Sequence, residues 1–305
     1  MRLGLTVPAF RWPGGPAQIG LHLGRIARTA DELGLASLWV MDHYFQVAIN
    51  GRATDPMIDG YSALSFAAAH TSRIRLGTLC TGVTYRHPGL LGKLVTTLDV
   101  LSGGRAYLGI GAAWYEEEHA GLGVPFPPLG ERFERLEETL QIIGKMFSGD
   151  ETPYAGRHYQ LARPLNSPQP LGRVDARRPH PPILIGGAGE RKTLRLVAQY
   201  GDACNIYDSA DLPRKLAVLR EHCERLNRPY EEIEKTVLTR FTLANDPRTN
   251  PDASVDHLVR LAELGVDHAI VAFPGVHTDG AIGALAEVAA KIADVVPLGR
   301  QAASL

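Results

Sequence analysis

Apolar positions in this chain recur with two spacings. Short apolar runs rich in Val, Ile and Leu alternate with longer segments in which apolar positions return every three or four residues. The runs predict buried strands, and the longer segments predict helices with one apolar face. The clearest helix covers 130–147, where the apolar face consists of Phe133, Leu136, Leu140, Ile143 and Phe147.

The predicted strands and helices follow one another in strict alternation. The strands cover 2–7, 36–42, 74–80, 105–111, 183–187, 202–207, 235–242 and 267–273. The helices cover 18–33, 61–71, 90–101, 130–147, 190–200, 213–226, 254–264 and 281–292. Alternation predicts parallel strands with helical crossovers, and eight such units close into a barrel more naturally than they form an open sheet. The predicted fold is a single (β/α)8 TIM barrel over 1–305.

One segment breaks this pattern. Residues 148–182 are rich in Pro, Arg, Tyr and Gly and show no sustained period. A stretch of this length without periodicity is unusual as a plain connector in a compact domain and is typical of a functional loop. We expect a loop or lid inserted between helix four and strand five.

The third strand does not pass directly into its helix. After 74–80 the chain continues as Thr81-Gly82-Val83-Thr84-Tyr85, which is still extended in type but carries a glycine and hydroxyls, and a helix start is signalled at Pro88. This pattern predicts a bulged strand end facing a ligand. An ordinary loop is the alternative.

Composition narrows the class of protein. The net charge of −1 argues against a nucleic-acid or anionic-membrane partner. The chain contains no apolar run long enough for a membrane span, and the first residues lack the features of a signal peptide. Cys80, Cys204 and Cys223 form no paired or metal-type spacing. We expect a cytoplasmic protein with reduced thiols.

Candidate chemistry is collected from the residues that follow each strand, because a barrel site lies at the carboxyl ends of its strands. Asp42-His43 follows strand two and can form an acid–imidazole pair for proton transfer; an exposed loop pair is the alternative. Gly186-Gly187-Ala188-Gly189 follows strand five and precedes a helix, which suits a phosphate; a tight turn is the alternative.

Other residues at these ends carry weaker signals. Glu116, Glu117 and Glu118 are interpreted as a solvated helix start. Trp114 and Tyr85 line either an apolar pocket or the core, and Arg86-His87 contacts an anion or caps a helix. No metal site is expected, and five further histidines receive no role: His22, His70, His119, His158 and His180.

Four segments together resemble the luciferase-like monooxygenase superfamily, and most closely its branch of coenzyme F420-dependent oxidoreductases. They are SLWVMDHYFQ at 37–46, RLGTLCTGVTYRHPGLL at 75–91, the stretch from LSGGRAYLGIG to ERLEE at 101–138, and PPILIGGAGERKTLRLVAQYGDACNI at 181–206. The resemblance spans nearly the whole chain and implies the same barrel fold with a bound deazaflavin.

The resemblance also implies roles for individual residues. Asp42 and His43 would lie beside the deazaflavin ring, with His43 near the reacting substrate and Asp42 setting its orientation. Leu79, Cys80 and Thr81 would back the ring, with a cis peptide at Leu79–Cys80. Gly186, Gly187, Ala188 and Gly189 would bind the cofactor phosphate through backbone amides, Trp114 would join the cofactor pocket, and the insertion would cover the mouth of the barrel.

One position departs from part of the family. Some relatives that oxidise a sugar phosphate carry a glutamate in the segment that here reads Ala113-Trp114-Tyr115. Trp114 at that position argues against that substrate and favours an apolar or planar one.

The expected activity is F420-dependent hydride transfer to or from a small organic substrate. An FMN-dependent monooxygenase that uses reduced flavin and oxygen is the alternative, and a non-catalytic deazaflavin-binding barrel is a second one. A metal-dependent hydrolase is poorly supported, because no ligand pair lies at the strand ends. Expected partners are the substrate, a second copy of the chain in a homodimer, and a flavin or F420 reductase as an indirect partner.

Overall fold

The computed structural model describes residues 1–241, 251–272, 275–278 and 280–300. The strands are β1 (Arg2–Val7), β2 (Ser37–Val40), β3 (Arg75–Thr78), β4 (Thr81–Gly82), β5 (Ala106–Gly111), β6 (Tyr154–Ala155), β7 (Gln160–Leu161), β8 (Ile183–Gly186), β9 (Ala203–Tyr207), β10 (Glu234–Arg240) and β11 (His268–Ala272). The α-helices are α1 (Ile19–Glu32), α2 (Gly60–Ala69), α3 (Pro88–Leu101), α4 (Glu116–Leu122), α5 (Leu129–Ser148), α6 (Thr193–Tyr200), α7 (Leu212–Arg225), α8 (Pro251–Glu263) and α9 (Ala281–Lys291).

The strands form a closed parallel barrel. The pairing order is β3-β2-β1-β11-β10-β9-β8-β5, and β3 also pairs with β5, which closes the ring. Short β4 continues the third strand along β5. The predicted (β/α)8 barrel is confirmed, because each parallel pair is joined through a helix that packs on the outside of the sheet.

Two elements lie outside the eight predicted strand–helix units. One is α4, which begins where a helix start was interpreted at Glu116, Glu117 and Glu118, and the other is the hairpin of β6 and β7, which lies in the segment that shows no period and was not predicted. Most predicted ends agree with the structure to within three residues. The remaining differences at strand ends arise because the apolar run of a strand is longer than its hydrogen-bonded part. Thr242 and Phe273-Pro274, which were placed at strand ends, lie outside the described residues.

A plug of large side chains fills the barrel. Trp39, Tyr107, Leu184, Ala203 and Ile270 form this cluster and are almost completely buried. The plug closes the barrel interior, so a ligand has access at the strand ends rather than through the barrel.

Below the plug, a buried polar network joins four strands at their amino ends. Glu234 accepts hydrogen bonds from Tyr107 Oη at 2.9 Å and from His268 Nδ1 at 2.8 Å, and it pairs with Arg2 at 2.7 Å. Burial alone raises the pKa of Glu234, but His268, Arg2 and Tyr107 outweigh it and lower the pKa from 4.5 to about 2. The ionised carboxylate is therefore favoured by folding.

This network predicts a loss of stability in acid. A folded-state pKa below the unfolded value means that the contribution of Glu234 is fully present above pH 4.5 and is lost as the pH falls towards 2. We expect roughly 3 kcal/mol from this group. Urea unfolding at several pH values should show Glu234→Gln less stable than wild type at pH 7, with the difference shrinking in acid. The exposed Glu32→Gln is the control, and an equal pH dependence of the two differences would contradict the prediction.

The inserted segment lies along the flank of the barrel. Asn166 Nδ2 donates to Thr96 Oγ1 at 3.0 Å, and Asp99 of α3 accepts from the amides of residues 171 and 172. Glu138 of α5 accepts from the amides of residues 157–159. These contacts hold the segment against α3 and α5, and they give no support to the expectation that it covers the mouth.

Among the residues that the structure describes, no helix is both long enough and apolar enough to span a membrane.

Candidate active site

The third strand ends in a bulge. Gly77 pairs with Tyr107, and the next paired residue, Thr81, lies opposite Ile110, so four steps along one strand match three along β5. This extra residue defines a β-bulge. The peptide bond between Leu79 and Cys80 within it is cis. The bulge and the cis peptide that were expected here are both confirmed.

Hydroxyl groups support this bulge from below. Thr78 Oγ1 donates to the carbonyl of Gly109 at 3.0 Å and lies 2.8 Å from Thr81 Oγ1, which in turn lies 2.8 Å from the Tyr61 hydroxyl. A Cβ at Gly109 would lie 1.9 Å from the Thr78 carbonyl oxygen. Glycine on β5 therefore makes room for the displaced backbone of the bulge.

Asp42 forms a buried ion pair with Arg86. The carboxylate is 1% exposed and accepts a hydrogen bond from each terminal guanidinium nitrogen, from Nη1 at 2.5 Å and from Nη2 at 3.0 Å. Arg86 also donates to Tyr44 Oη at 3.0 Å and to Asp59 Oδ2 at 2.8 Å. Burial raises the pKa of Asp42, and Arg86 opposes that rise. Of the two roles expected for Arg86-His87, Arg86 binds an anion, which is Asp42, and His87 caps α3.

His43 is oriented by Glu118. His43 Nδ1 lies 3.3 Å from Glu118 Oε1, while the amides of Tyr44 and Phe45 donate to Oε2 at 2.7 Å each and the Tyr85 hydroxyl donates to Oε1. Glu118 is 0% exposed, so the prediction of a solvated helix start is wrong for this residue, although Glu116 and Glu117 are exposed. The expectation that Asp42 orients His43 is also corrected, since Asp42 directs its carboxylate to Arg86.

The Glu118 carboxylate is held in its ionised form. Burial alone raises its pKa, but hydrogen bonds from His43, Tyr85 and the Phe45 amide outweigh burial and leave the pKa below its ordinary value. Because the Nδ1 side of His43 faces this anion, Nε2 is the ring nitrogen left for another partner. The His43 side chain is 12% exposed, so that nitrogen has access from the mouth of the barrel.

Trp114 stands beside His43. The rings of His43 and Trp114 meet edge to face with their centroids 5.5 Å apart. Trp114 also stacks on the ring of Tyr115, with centroids 5.1 Å apart. Trp114 is 62% exposed. The structure therefore places an open aromatic face next to the imidazole.

The glycine turn after β8 presents free backbone amides. The amide of Gly187 donates to Asn205 O at 3.0 Å. The amides of Ala188, Gly189, Glu190 and Arg191 have no protein acceptor within the described part of the chain. Gly187 has φ of 121°, a conformation that favours glycine. Such a turn ahead of a helix is suited to an anion.

Charges around this turn are arranged to tolerate an anion. The side chain of Glu190 pairs with Lys215 at 2.7 Å and with Arg214 at 3.0 Å, which neutralises its charge. The exposed Arg191 makes no hydrogen bond or ion pair with any other described residue. The turn therefore carries no uncompensated negative charge.

The bulge and the glycine turn touch through Cys80. A Cβ at Gly186 would lie 2.4 Å from Cys80 Sγ. Burial raises the pKa of Cys80 to about 12, so the thiol is neutral at pH 7. It is suited to packing against a neighbouring group rather than to nucleophilic attack. Leu79 packs on the barrel plug, and Ala188 packs on the surrounding core.

This contact gives a stability prediction. Gly186→Ala should lower the free energy of unfolding by about 1–3 kcal/mol, because the new methyl group overlaps Cys80 Sγ. The double variant Cys80→Ala/Gly186→Ala removes the sulfur and should recover most of the loss, as measured by urea unfolding. Equal losses in the single and double variants would show that the overlap is not the cause.

Two further residues at the strand ends lie in the same face. Arg240 donates to Asn50 Oδ1 at 3.0 Å, and Tyr207 is exposed. Sequence reasoning did not find Glu118 or Tyr61 as contributors to this site. The three glutamates differ only in the face of α4 that each occupies, and the sequence pattern of a seven-residue helix is too short to reveal that face.

A (β/α)8 barrel with a carboxylate–imidazole pair and an open amide turn at its strand ends carries groups suited to proton transfer and to an anionic ligand. The chain belongs to the luciferase-like monooxygenase family, whose model matches residues 1–301. This family and the relatives below support an oxidoreductase.

Curated relatives carry two kinds of description. An F420-dependent glucose-6-phosphate dehydrogenase of Kineococcus radiotolerans is 32% identical over 233 residues, which is 74% of this chain and 65% of the relative. This chain therefore spans slightly less than two thirds of that relative. An uncharacterized protein of Mycobacterium tuberculosis is 27% identical over 289 residues, covering 90% of this chain and 95% of the relative.

Solved structures share the fold. An F420-dependent secondary alcohol dehydrogenase, solved with an F420–acetone adduct, matches with a TM-score of 0.77 at 16% identity over 95% of this chain and 98% of that one. The monooxygenase RslO1 from Streptomyces bottropensis matches with a TM-score of 0.76 at 19% identity over 97% and 98% of the two chains. At these identities the likeness shows the barrel alone.

Proposed function

We propose that this protein is an F420-dependent oxidoreductase that transfers a hydride between the deazaflavin and a small organic substrate. The observation that carries the proposal is the pair of features at one barrel mouth: His43 held by Glu118, and the open amides of the turn after β8. The F420-dependent relatives supply the cofactor class.

The residues of the turn fit the phosphate of such a cofactor. Four successive amides without a protein acceptor, a neutralised Glu190 and an unpaired Arg191 provide hydrogen-bond donors and positive charge among the described residues. The amides of Ala188, Gly189, Glu190 and Arg191 would hold the phosphate. Of the four residues predicted from the sequence, Ala188 and Gly189 present such amides, whereas the Gly187 amide donates to Asn205 O and Gly186 pairs within the sheet. A β-carbon at Gly186 or Gly189 would meet Cys80 or Thr193 and narrow the turn.

The bulge fits a ring system. Leu79 and Cys80 pack on the barrel plug, Thr81 is fixed by two hydroxyl contacts, and the charge of Asp42 is neutralised by Arg86. When bound, the deazaflavin would supply or accept the hydride. The protein would bind it, orient it and exclude water.

His43 would move the proton that accompanies the hydride. With Nδ1 turned to the Glu118 carboxylate, Nε2 would donate a proton in reduction or accept one in oxidation. The Glu118 carboxylate would orient the imidazole, and the hydrogen bonds that it accepts from two backbone amides keep it in place.

The test is a binding titration that separates the cofactor and its phosphate. Purified protein is titrated with F420, FMN, 5-deaza-FMN and 5-deazariboflavin, and ligand fluorescence is followed. We expect F420 to bind more tightly than FMN, and 5-deaza-FMN to bind at least about tenfold more tightly than 5-deazariboflavin, because phosphate adds charge-assisted hydrogen bonds.

Other outcomes contradict the proposal in different ways. Preference for FMN, with oxygen uptake when the bound flavin is reduced, would establish the monooxygenase alternative. Equal affinity for the two deazaflavins would remove the phosphate role of the glycine turn. Binding of F420 without turnover of any ketone, enone, imine or alcohol by wild type would favour the non-catalytic barrel.

A further inference from the structure

One tryptophan of this chain is placed unlike the others. Trp12 and Trp39 are buried at 7% and 0% exposure, whereas Trp114 is 62% exposed at the carboxyl end of β5. An exposed aromatic side chain at the mouth of a barrel is informative when it lies next to reactive groups.

The loop that carries Trp114 is held rigidly. Ala113 has φ of 61°, a left-handed conformation that costs a residue with a side chain free energy. Buried Arg132 compensates by donating to Ala113 O at 2.5 Å, to Ala112 O at 3.4 Å and to Pro127 O at 3.0 Å. Its guanidinium also lies 4.1 Å from the Phe126 ring centroid. The exposure of Trp114 is therefore built into the backbone.

The indole is also fixed on two sides. Tyr115 stacks against it with the ring planes 16° apart, and His43 meets it edge to face. These contacts define the orientation of the ring and leave much of its surface uncovered. An open aromatic plane fixed beside a proton donor is suited to a second planar group.

Local charge disfavours an anionic ligand at this plane. Glu116 and Glu117, two and three residues further along the chain, are exposed, and Glu118 is ionised beneath His43. The nearby cation Arg86 is engaged by Asp42 and Asp59. A neutral planar substrate is therefore favoured over a sugar phosphate.

We propose that Trp114 is a substrate platform that selects neutral, planar conjugated carbonyl compounds. Conjugation keeps the reacting carbons in the plane of the stacked group, so stacking on Trp114 would place them next to His43. This inference rests on the proposed function, and it assigns Trp114 to the substrate rather than to the cofactor.

The reaction balances for an α,β-unsaturated ketone. The β-carbon accepts the hydride that reduced deazaflavin supplies, which forms one C–H bond as the C=C π bond breaks. The released electron pair forms the second C–H bond at the α-carbon with the proton from His43 Nε2. The substrate gains two electrons, the deazaflavin is oxidised, and His43 recovers its proton from solvent.

The experiment compares two enones that differ in one ring. Benzylideneacetone carries a phenyl group conjugated to the enone, and 3-penten-2-one lacks it. Dissociation constants are measured by saturation-transfer NMR on wild type, Trp114→Ala and Trp114→Phe, and KM and kcat are measured with F420. Trp114→Ala should weaken benzylideneacetone about tenfold in both dissociation constant and KM, leave 3-penten-2-one unchanged, and be largely rescued in Trp114→Phe.

Leu122→Ala is the matched control, since it removes an exposed apolar side chain (46% exposed) from the neighbouring helix. An equal change for both enones, no change for either, or a weakening of F420 instead of the enone would overturn the platform. Failure of F420 to bind wild type would count against the proposed function, and the NMR comparison without cofactor would still decide the role of Trp114.

Discussion

Replacing His43 by glutamine should lower kcat by a factor of about 10² to 10⁴ while leaving the affinity for F420 within error of wild type. Glutamine keeps a hydrogen-bonding group near Glu118 but cannot transfer a proton at neutral pH. The ring of His43 lies 3.3 Å from the Glu118 carboxylate and in contact with Trp114. Few other groups are therefore placed to transfer the proton in its stead. Steady-state kinetics and cofactor fluorescence measure the two quantities.

Glu118 allows a stricter test of the same pair. If Glu118 acts through His43, then Glu118→Gln should lower kcat, and adding it to His43→Gln should cause little further loss. Urea unfolding of each variant separates this effect from loss of fold, because Glu118 also receives two backbone amides. Fully additive losses, or wild-type turnover in His43→Gln, would exclude the proposed proton path.

Replacing Arg86 by methionine should cost about 3–5 kcal/mol of unfolding free energy, because it leaves the Asp42 carboxylate buried without its cation. Asp42 is 1% exposed and receives both guanidinium nitrogens. The double variant Asp42→Asn/Arg86→Met removes both charges and should be clearly more stable than Arg86→Met alone. Urea unfolding at pH 7 measures all three proteins.

The matched control for Arg86 is an exposed ion pair between the inserted segment and α5. Arg157 pairs with Glu134 at 3.0 Å, and both side chains are in solvent. Arg157→Met should therefore change the unfolding free energy by less than about 1 kcal/mol. A loss in Arg86→Met as small as that in Arg157→Met would show that the buried pair adds little to the stability of this face.

Local patterns along the chain predicted much of this protein. The apolar runs and helical spacings specified the alternating strands and helices, because burial on both faces of a parallel strand leaves a continuous apolar signal. The extended segment that follows the third strand predicted the bulge, and the register between β3, β4 and β5 confirms it. The family resemblance supplied the cis peptide at Leu79–Cys80 and the class of protein.

Only the tertiary structure decided which charged groups meet. Asp42 and His43 are neighbours in the chain, yet Asp42 contacts Arg86 and His43 contacts Glu118, across 44 and 75 residues. Three glutamates in a row give no sequence signal for which one is buried. That choice depends on how α4 packs against the loop after β2, where two backbone amides and a tyrosine hydroxyl need an acceptor. The sequence therefore determined the barrel and the positions from which chemistry projects, whereas long-range packing assigned each carboxylate its partner.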